Sequence, residues 1–161
     1  MILYCIVTAF VNAIASLVLG ASVFLKNVRD TKNQIFGLFT LSVSAWSGFY
    51  VMWQVSPDPL SALAYARGVS VCAIFIPLCY FHFSTLLAGR RSTRLRRELT
   101  AGYVTAIIFA ALSLTRLMIT GVEPKSGFPN WPIAGPLYSV YLAHFFYFAV
   151  RTVMVLHSQA R

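Results

Sequence analysis

Apolar and charged positions along this chain fall in long blocks rather than alternating residue by residue. No Lys, Arg, Asp or Glu occurs from Met1 to Leu25. Further uncharged stretches run Asn33 to Pro57, Gly68 to Gly89, Leu99 to Thr115 and Ser126 to Val150. A hydrocarbon core of ~30 Å needs ~20 helical residues at ~1.5 Å rise each. All but one stretch meet that length. Leu99 to Thr115 reaches it only by running on past Arg116 to Gly121. The pattern therefore predicts an all-α, multi-pass transmembrane helix bundle of five helices, at about 2–24, 35–55, 61–87, 99–120 and 136–157.

Punctuation supports these boundaries. Ser56-Pro57-Asp58-Pro59 stops the second helix, because proline cannot continue one and restricts the residue before it. Pro77 lies inside the third and predicts a kink there. Pro136 suits the first turn of the fifth. The connection Gly121 to Gly135, with Pro124, Pro129 and Pro132, is the longest polar one and suits a folded cap.

Five spans consume most of the 161 residues, so a single membrane domain with no soluble domain is expected. Charged residues make up 11% of the chain, against about 25% in a soluble domain. The net charge of +9 would suit nucleic acid, but its charges sit in short loops beside apolar spans, where they set topology. Three basic residues follow the first helix, five follow the third, and two lie in the last helix and tail. Only Arg67, Arg116 and Lys125 lie on the other side. The positive-inside rule then predicts an outside N-terminus and a cytoplasmic C-terminus. The first run lacks a basic segment before it and is read as a retained helix rather than a signal peptide.

Candidate chemistry is sparse. Cys5, Cys72 and Cys79 all lie in apolar runs at spacings that fit no metal site. The acids Asp30, Asp58, Glu98 and Glu123 lie in loops or at helix ends, and no catalytic pair or phosphate loop accompanies them. The sequence calls for no cofactor and no enzyme chemistry. Polar residues at membrane depth are costly and often functional, which singles out Asn12, Arg67, His82, Arg116, His144 and Arg151. The three arginines lie near helix ends and can snorkel, the simpler reading. His82 and His144 are expected to hydrogen-bond between helices. Trp46, Tyr50 and Trp53, and Trp131 with Tyr138, gather at run ends as an interfacial belt. The sharper reading makes Arg67, Arg116, Trp131 and Tyr138 the lining of an outward-facing pocket for an anionic or amphipathic small molecule. The arginine-rich loop Arg90 to Arg97 is expected to hold orientation, with lipid head groups or a phosphorylated partner as the other use.

Several landmarks recur in a known order. Asn33-Gln34-Ile35-Phe36 opens the second helix, with Trp46 after it. Arg67 sits early in the third, and Pro77 precedes Phe81-His82-Phe83. Gly135-Pro136-Leu137-Tyr138 opens the fifth. From about Val11 to Arg151 this order resembles the N-terminal seven-helix membrane region of bacterial sensor histidine kinases, also found ahead of diguanylate cyclases. The resemblance implies a sensory input module in the bacterial cytoplasmic membrane. It also implies a small-molecule or membrane stimulus, and a homodimer formed through an output domain. It supplies no shared ligand residues. The family pattern has seven helices and then an output domain, so a chain of five helices is expected to be truncated. A small transporter or channel is the competing class. It would show internal repeats and broken helices in corresponding halves.

Overall fold

The computed structural model describes residues 2–90 and 92–158. The order is α1 (Ile2–Lys26), α2 (Thr31–Gln54), α3 (Pro59–Ala73), α4 (Phe75–Leu87), α5 (Thr93–Ser113), β1 (Ile119–Lys125), β2 (Phe128–Ala134) and α6 (Tyr138–His157). α3 and α4 are the two halves of one broken helix, so the bundle crosses back and forth five times. One end of it carries the arginine-rich connection and the other carries a β-hairpin. Among the described residues four helical runs are long and apolar enough to cross a membrane: Ile2–Lys26, Thr31–Gln54, Pro59–Leu87 and Tyr138–His157.

Side-chain caps move several starts earlier than hydropathy predicts. Asp30 accepts the Lys32 N–H at 2.8 Å, so α2 begins at Thr31 rather than 35. Asp58 accepts the N–H groups of Leu60 and Ser61, with Pro59 in the first turn, so α3 begins at Pro59 rather than 61. Ser92 accepts the Leu95 N–H at 3.1 Å, so Thr93 to Glu98 are helical where a loop was expected. At its other end α6 starts at Tyr138, two residues after the proline expected to open it.

The fourth predicted helix needs the largest correction. It ends at Ser113 and not at 120. Leu114 to Met118 form turns, and Ile119 already belongs to a strand. Apolarity alone could not separate these states, because Ile119 and Val122 suit a strand as well as a span. Their partners decide it: Ile119 pairs with Ala134 and Val122 with Pro132. The turn at Ser126-Gly127 has positive φ at both residues (53° and 83°). That is the two-residue hairpin turn whose twist matches antiparallel strands. The expected cap is thus a hairpin, and the uncharged part of α5 from Leu99 to Ser113 spans only about 22 Å at ~1.5 Å per residue.

The helix break falls at Ile74, three residues before Pro77. The proline ring clashes with the carbonyl four residues back and donates no hydrogen bond to it. The Ile74 N–H bonds the Cys72 carbonyl instead of its regular partner, Ser70. The Ser70 carbonyl accepts from the Tyr141 hydroxyl of α6 at 2.8 Å. A core of Ile74, Leu78, Phe81, Ala106, Met118, Tyr141 and Phe148 joins α4, α5 and α6 around that break.

α1 packs against α2 and leaves most of its apolar surface exposed. Lipid tails are as apolar as leucine, so close backbone approach and polar contacts must hold such a pair. Gly20 lies against Thr40, the Asn12 amide donates to the Ser47 hydroxyl at 2.8 Å, and the Ser44 hydroxyl donates to the Ala13 carbonyl at 2.8 Å.

Candidate functional site

The end of α2 carries Trp46, Tyr50 and Trp53, spaced i, i+4, i+7, which places them on one helix face. Their rings run in sequence toward the hairpin. Trp46 and Tyr50 stack with centroids 5.8 Å apart, and Tyr50 meets Trp53 edge-on at 5.3 Å. Trp53 then reaches Trp131 of β2 at 5.9 Å, and Phe128 completes the row at 5.3 Å from Trp131. Each such aromatic pair is worth about 0.5–1.5 kcal/mol beyond area burial. The Trp53 indole N–H also donates to the Asn130 carbonyl at 2.7 Å. These contacts seat the hairpin on α2.

Beneath the seated hairpin lies a cavity of about 470 Å³. Residues of α2, α3, both strands and α6 line it, among them Tyr50, Ser70, Glu123, Trp131 and Tyr138. Its walls are mainly aromatic and aliphatic. Exposed Glu123 and Lys125 add one charge of each sign.

Of the four residues expected to line a pocket, the structure brings together Trp131 and Tyr138. Arg67 and Arg116 do not line it. Arg67 is half-buried on α3 and donates Nη2–H to the Ile119 carbonyl at 3.1 Å, so it braces the wall from behind. Its Nε is buried without a hydrogen-bond partner among the described residues. Arg116 falls in the exposed turn after α5, because that helix ends at Ser113 and never reaches it. The sequence singled out Tyr50 and Trp53 as interfacial anchors, with an aromatic-lined pocket under the Gly121 to Gly135 loop as the other reading, and it missed Glu123 and Lys125. The i, i+4, i+7 spacing on α2 was the available signal for the first two, whereas the two charges depended on the hairpin register.

The two histidines contact the same helix at separate places. His82 of α4 shares a hydrogen bond with the Tyr103 hydroxyl at 3.0 Å, and His144 of α6 shares one with the Thr105 hydroxyl at 2.9 Å. Both therefore tie α5 to its neighbours. At the arginine end, Arg151 grips Glu98 through two nitrogens of one guanidinium edge, Nε to Oε1 at 2.6 Å and Nη2 to Oε2 at 2.8 Å. The Tyr147 hydroxyl donates to the same Oε1 at 2.9 Å. Arg151 is thus partnered across helices, where free snorkelling was the simpler sequence reading.

A helix bundle with four runs apolar enough to cross a membrane, a broken third helix and a hairpin cap defines the class, a multi-pass membrane protein. The family model for the N-terminal 7TM region of histidine kinase matches residues 8–161, and the chain belongs to that family. It is a membrane-embedded sensory input module. No curated protein and no solved structure matches it.

Proposed function

We propose that the cavity under the hairpin receives the stimulus of this input module. Four parts of the fold meet there: α2, α3, the hairpin and α6. That convergence is the observation that carries the reading. A ligand seated among them contacts α3 just ahead of the α3–α4 break and α6, whose Tyr141 bonds the Ser70 carbonyl at that break, and α6 runs from the cavity to the arginine end. Binding that favours one helix arrangement shifts the population toward it, by no more than the difference in affinity for the two. The recipient is an output domain of histidine kinase or diguanylate cyclase type, paired as a homodimer. The aromatic walls suit a small amphipathic molecule.

The charge distribution supports a bacterial cytoplasmic-membrane setting with the N-terminus and hairpin outside and the arginine end in the cytoplasm. A reporter active only in the cytoplasm should work when fused after Arg161 and fail when inserted at Ser126. The opposite pattern overturns the orientation.

The functional test uses a full-length receptor that carries this region ahead of an output domain. Tyr50→Ala and Trp131→Ala should alter the stimulus response at unchanged membrane level. Leu156→Ala, at the far end of α6, should not. Unaltered responses in both cavity variants reject the cavity as the sensory site. Stimulus-independent solute flux through the wild type would favour a transporter instead.

A further inference from the structure

A second opening lies at the arginine end, far along the chain's helices from the hairpin. A cleft of about 690 Å³ separates α4 from the first turns of α5. Arg90 and Arg96 line it together with the hydroxyl residue Ser92, the cap of α5. Leu86 and Leu99 line it as well. Among the described residues no acid borders this cleft. Glu98 lies one residue before Leu99, yet it is turned to Arg151 and Tyr147 of α6. Arg90 contacts only a neutral partner, the Ser158 hydroxyl, among the described residues. Among the described residues two guanidinium groups therefore share an opening that no carboxylate lines; Arg90 also borders a smaller opening on the α6 side with Glu98, but that acid is already paired with Arg151.

Depth narrows what could neutralise the two guanidinium groups. The uncharged part of α5 starts at Leu99 and is shorter than the ~30 Å hydrocarbon core. Its first two turns, with Arg96, then lie at head-group level, as does Arg90 just after α4. Guanidinium forks match phosphate oxygens and hold them by paired hydrogen bonds. The positive end of the α5 dipole opens at the same place. Leu86 and Leu99 continue from the cationic rim toward the apolar part of the bundle. A ligand with an anionic head and an apolar tail uses both surfaces, whereas a soluble phosphate uses only the rim.

We propose that this cleft binds an anionic phospholipid, with its phosphate on Arg90 and Arg96 and an acyl chain along Leu86 and Leu99. The bound lipid bridges α4 and α5 and couples their packing to the charge of the surrounding leaflet. Basic pockets between membrane helices recognise head groups by this chemistry.

Native mass spectrometry of the full chain in detergent tests the proposal. Phosphatidylglycerol and phosphatidylcholine with identical acyl chains are the probes, and inorganic phosphate is the competitor. The wild type should retain phosphatidylglycerol about tenfold better than phosphatidylcholine. Arg90→Gln with Arg96→Gln should weaken that retention roughly 30-fold, while Arg29→Gln with Lys32→Gln, an equal loss of charge around the start of α2, should change it less than about twofold. Equal retention of the two lipids overturns the proposal, and so do equal losses in the two paired variants. Displacement of the lipid by equimolar inorganic phosphate also overturns it, by assigning the rim to a soluble anion. Should the Arg90/Arg96 variant not accumulate, the wild-type discrimination between lipids decides.

Discussion

Trp53 and Asn130 are 77 residues apart, and the indole N–H of one donates to the backbone carbonyl of the other at 2.7 Å. This bond closes the aromatic row onto the hairpin. Trp53 is buried, so burial limits the water that can compete for its N–H. Trp53→Phe keeps most of the ring and removes the donor. An unsatisfied buried polar group costs about 1–3 kcal/mol. We expect faster backbone hydrogen exchange across Ile119 to Ala134 and little change in α5. Unchanged exchange in the hairpin would show that the aromatic stacking alone seats it.

Gly135 joins the hairpin to α6 through a close backbone approach. A Cβ there would lie 2.4 Å from the Leu117 carbonyl oxygen and 2.7 Å from that of Arg116. Both obstacles are backbone and cannot rotate aside. The Gly135 N–H also donates to the Met118 carbonyl at 2.8 Å. Gly135→Ala should destabilise the fold by about 1–3 kcal/mol, as overpacking does. Thermal unfolding in detergent measures this, with Gly48→Ala as the comparison, since open space surrounds that position.

Glu98 and Arg151 tie α5 to α6 at the opposite end. The pair is partly exposed, with side-chain accessibilities of 14% and 31%, so screening limits its worth to about 1 kcal/mol. Glu98→Gln and Arg151→Gln should each lower stability by about that amount, and the double variant should cost less than their sum. The coupling energy from this cycle is the measurement. Additive losses would mean the pair contributes nothing of its own.

Asp58 makes the start of α3 sensitive to acid. Hydrogen bonds from the Ser61 backbone and hydroxyl, and then from the Leu60 backbone, hold its carboxyl below the ordinary value of 3.8. A lowered folded pKa means that the unfolded chain takes up the proton first as pH falls. The cap's contribution is therefore complete above pH 3.8 and is lost as pH drops through the lower folded value. Asp58→Asn should flatten that acid loss in a pH series of thermal unfolding and leave the neutral-pH plateau nearly unmoved, since Asn also caps. An acid limb of the same slope in the variant would place the sensitivity elsewhere.

The block pattern of the sequence determines the class of this protein. Long uncharged runs can be satisfied only in a bilayer, and backbone polar groups there demand helices. The landmarks from Asn33 to Tyr138 carry the family for the same reason: they are local, and each reads without knowing its partners. Even so, capping residues shifted the helix starts, because Asp30, Asp58 and Ser92 extend helices into polar segments where hydropathy is silent. Tertiary structure decided the rest. Ile119 and Thr120 read equally as the end of a span or as a strand, and only the pairing of Ile119 with Ala134 and of Gly121 with Ile133 chooses. That choice ends α5 at Ser113, takes Arg116 out of the cavity and brings Glu123 in. Arg67 likewise could be placed near a helix end from sequence, but its carbonyl partner Ile119 lies 52 residues away. Glu98 and Arg151, separated by 53, were two isolated charges until packing set α5 beside α6. Hydropathy sets the depth of a residue in the membrane, and only the packing of helices and strands sets which residues at that depth meet.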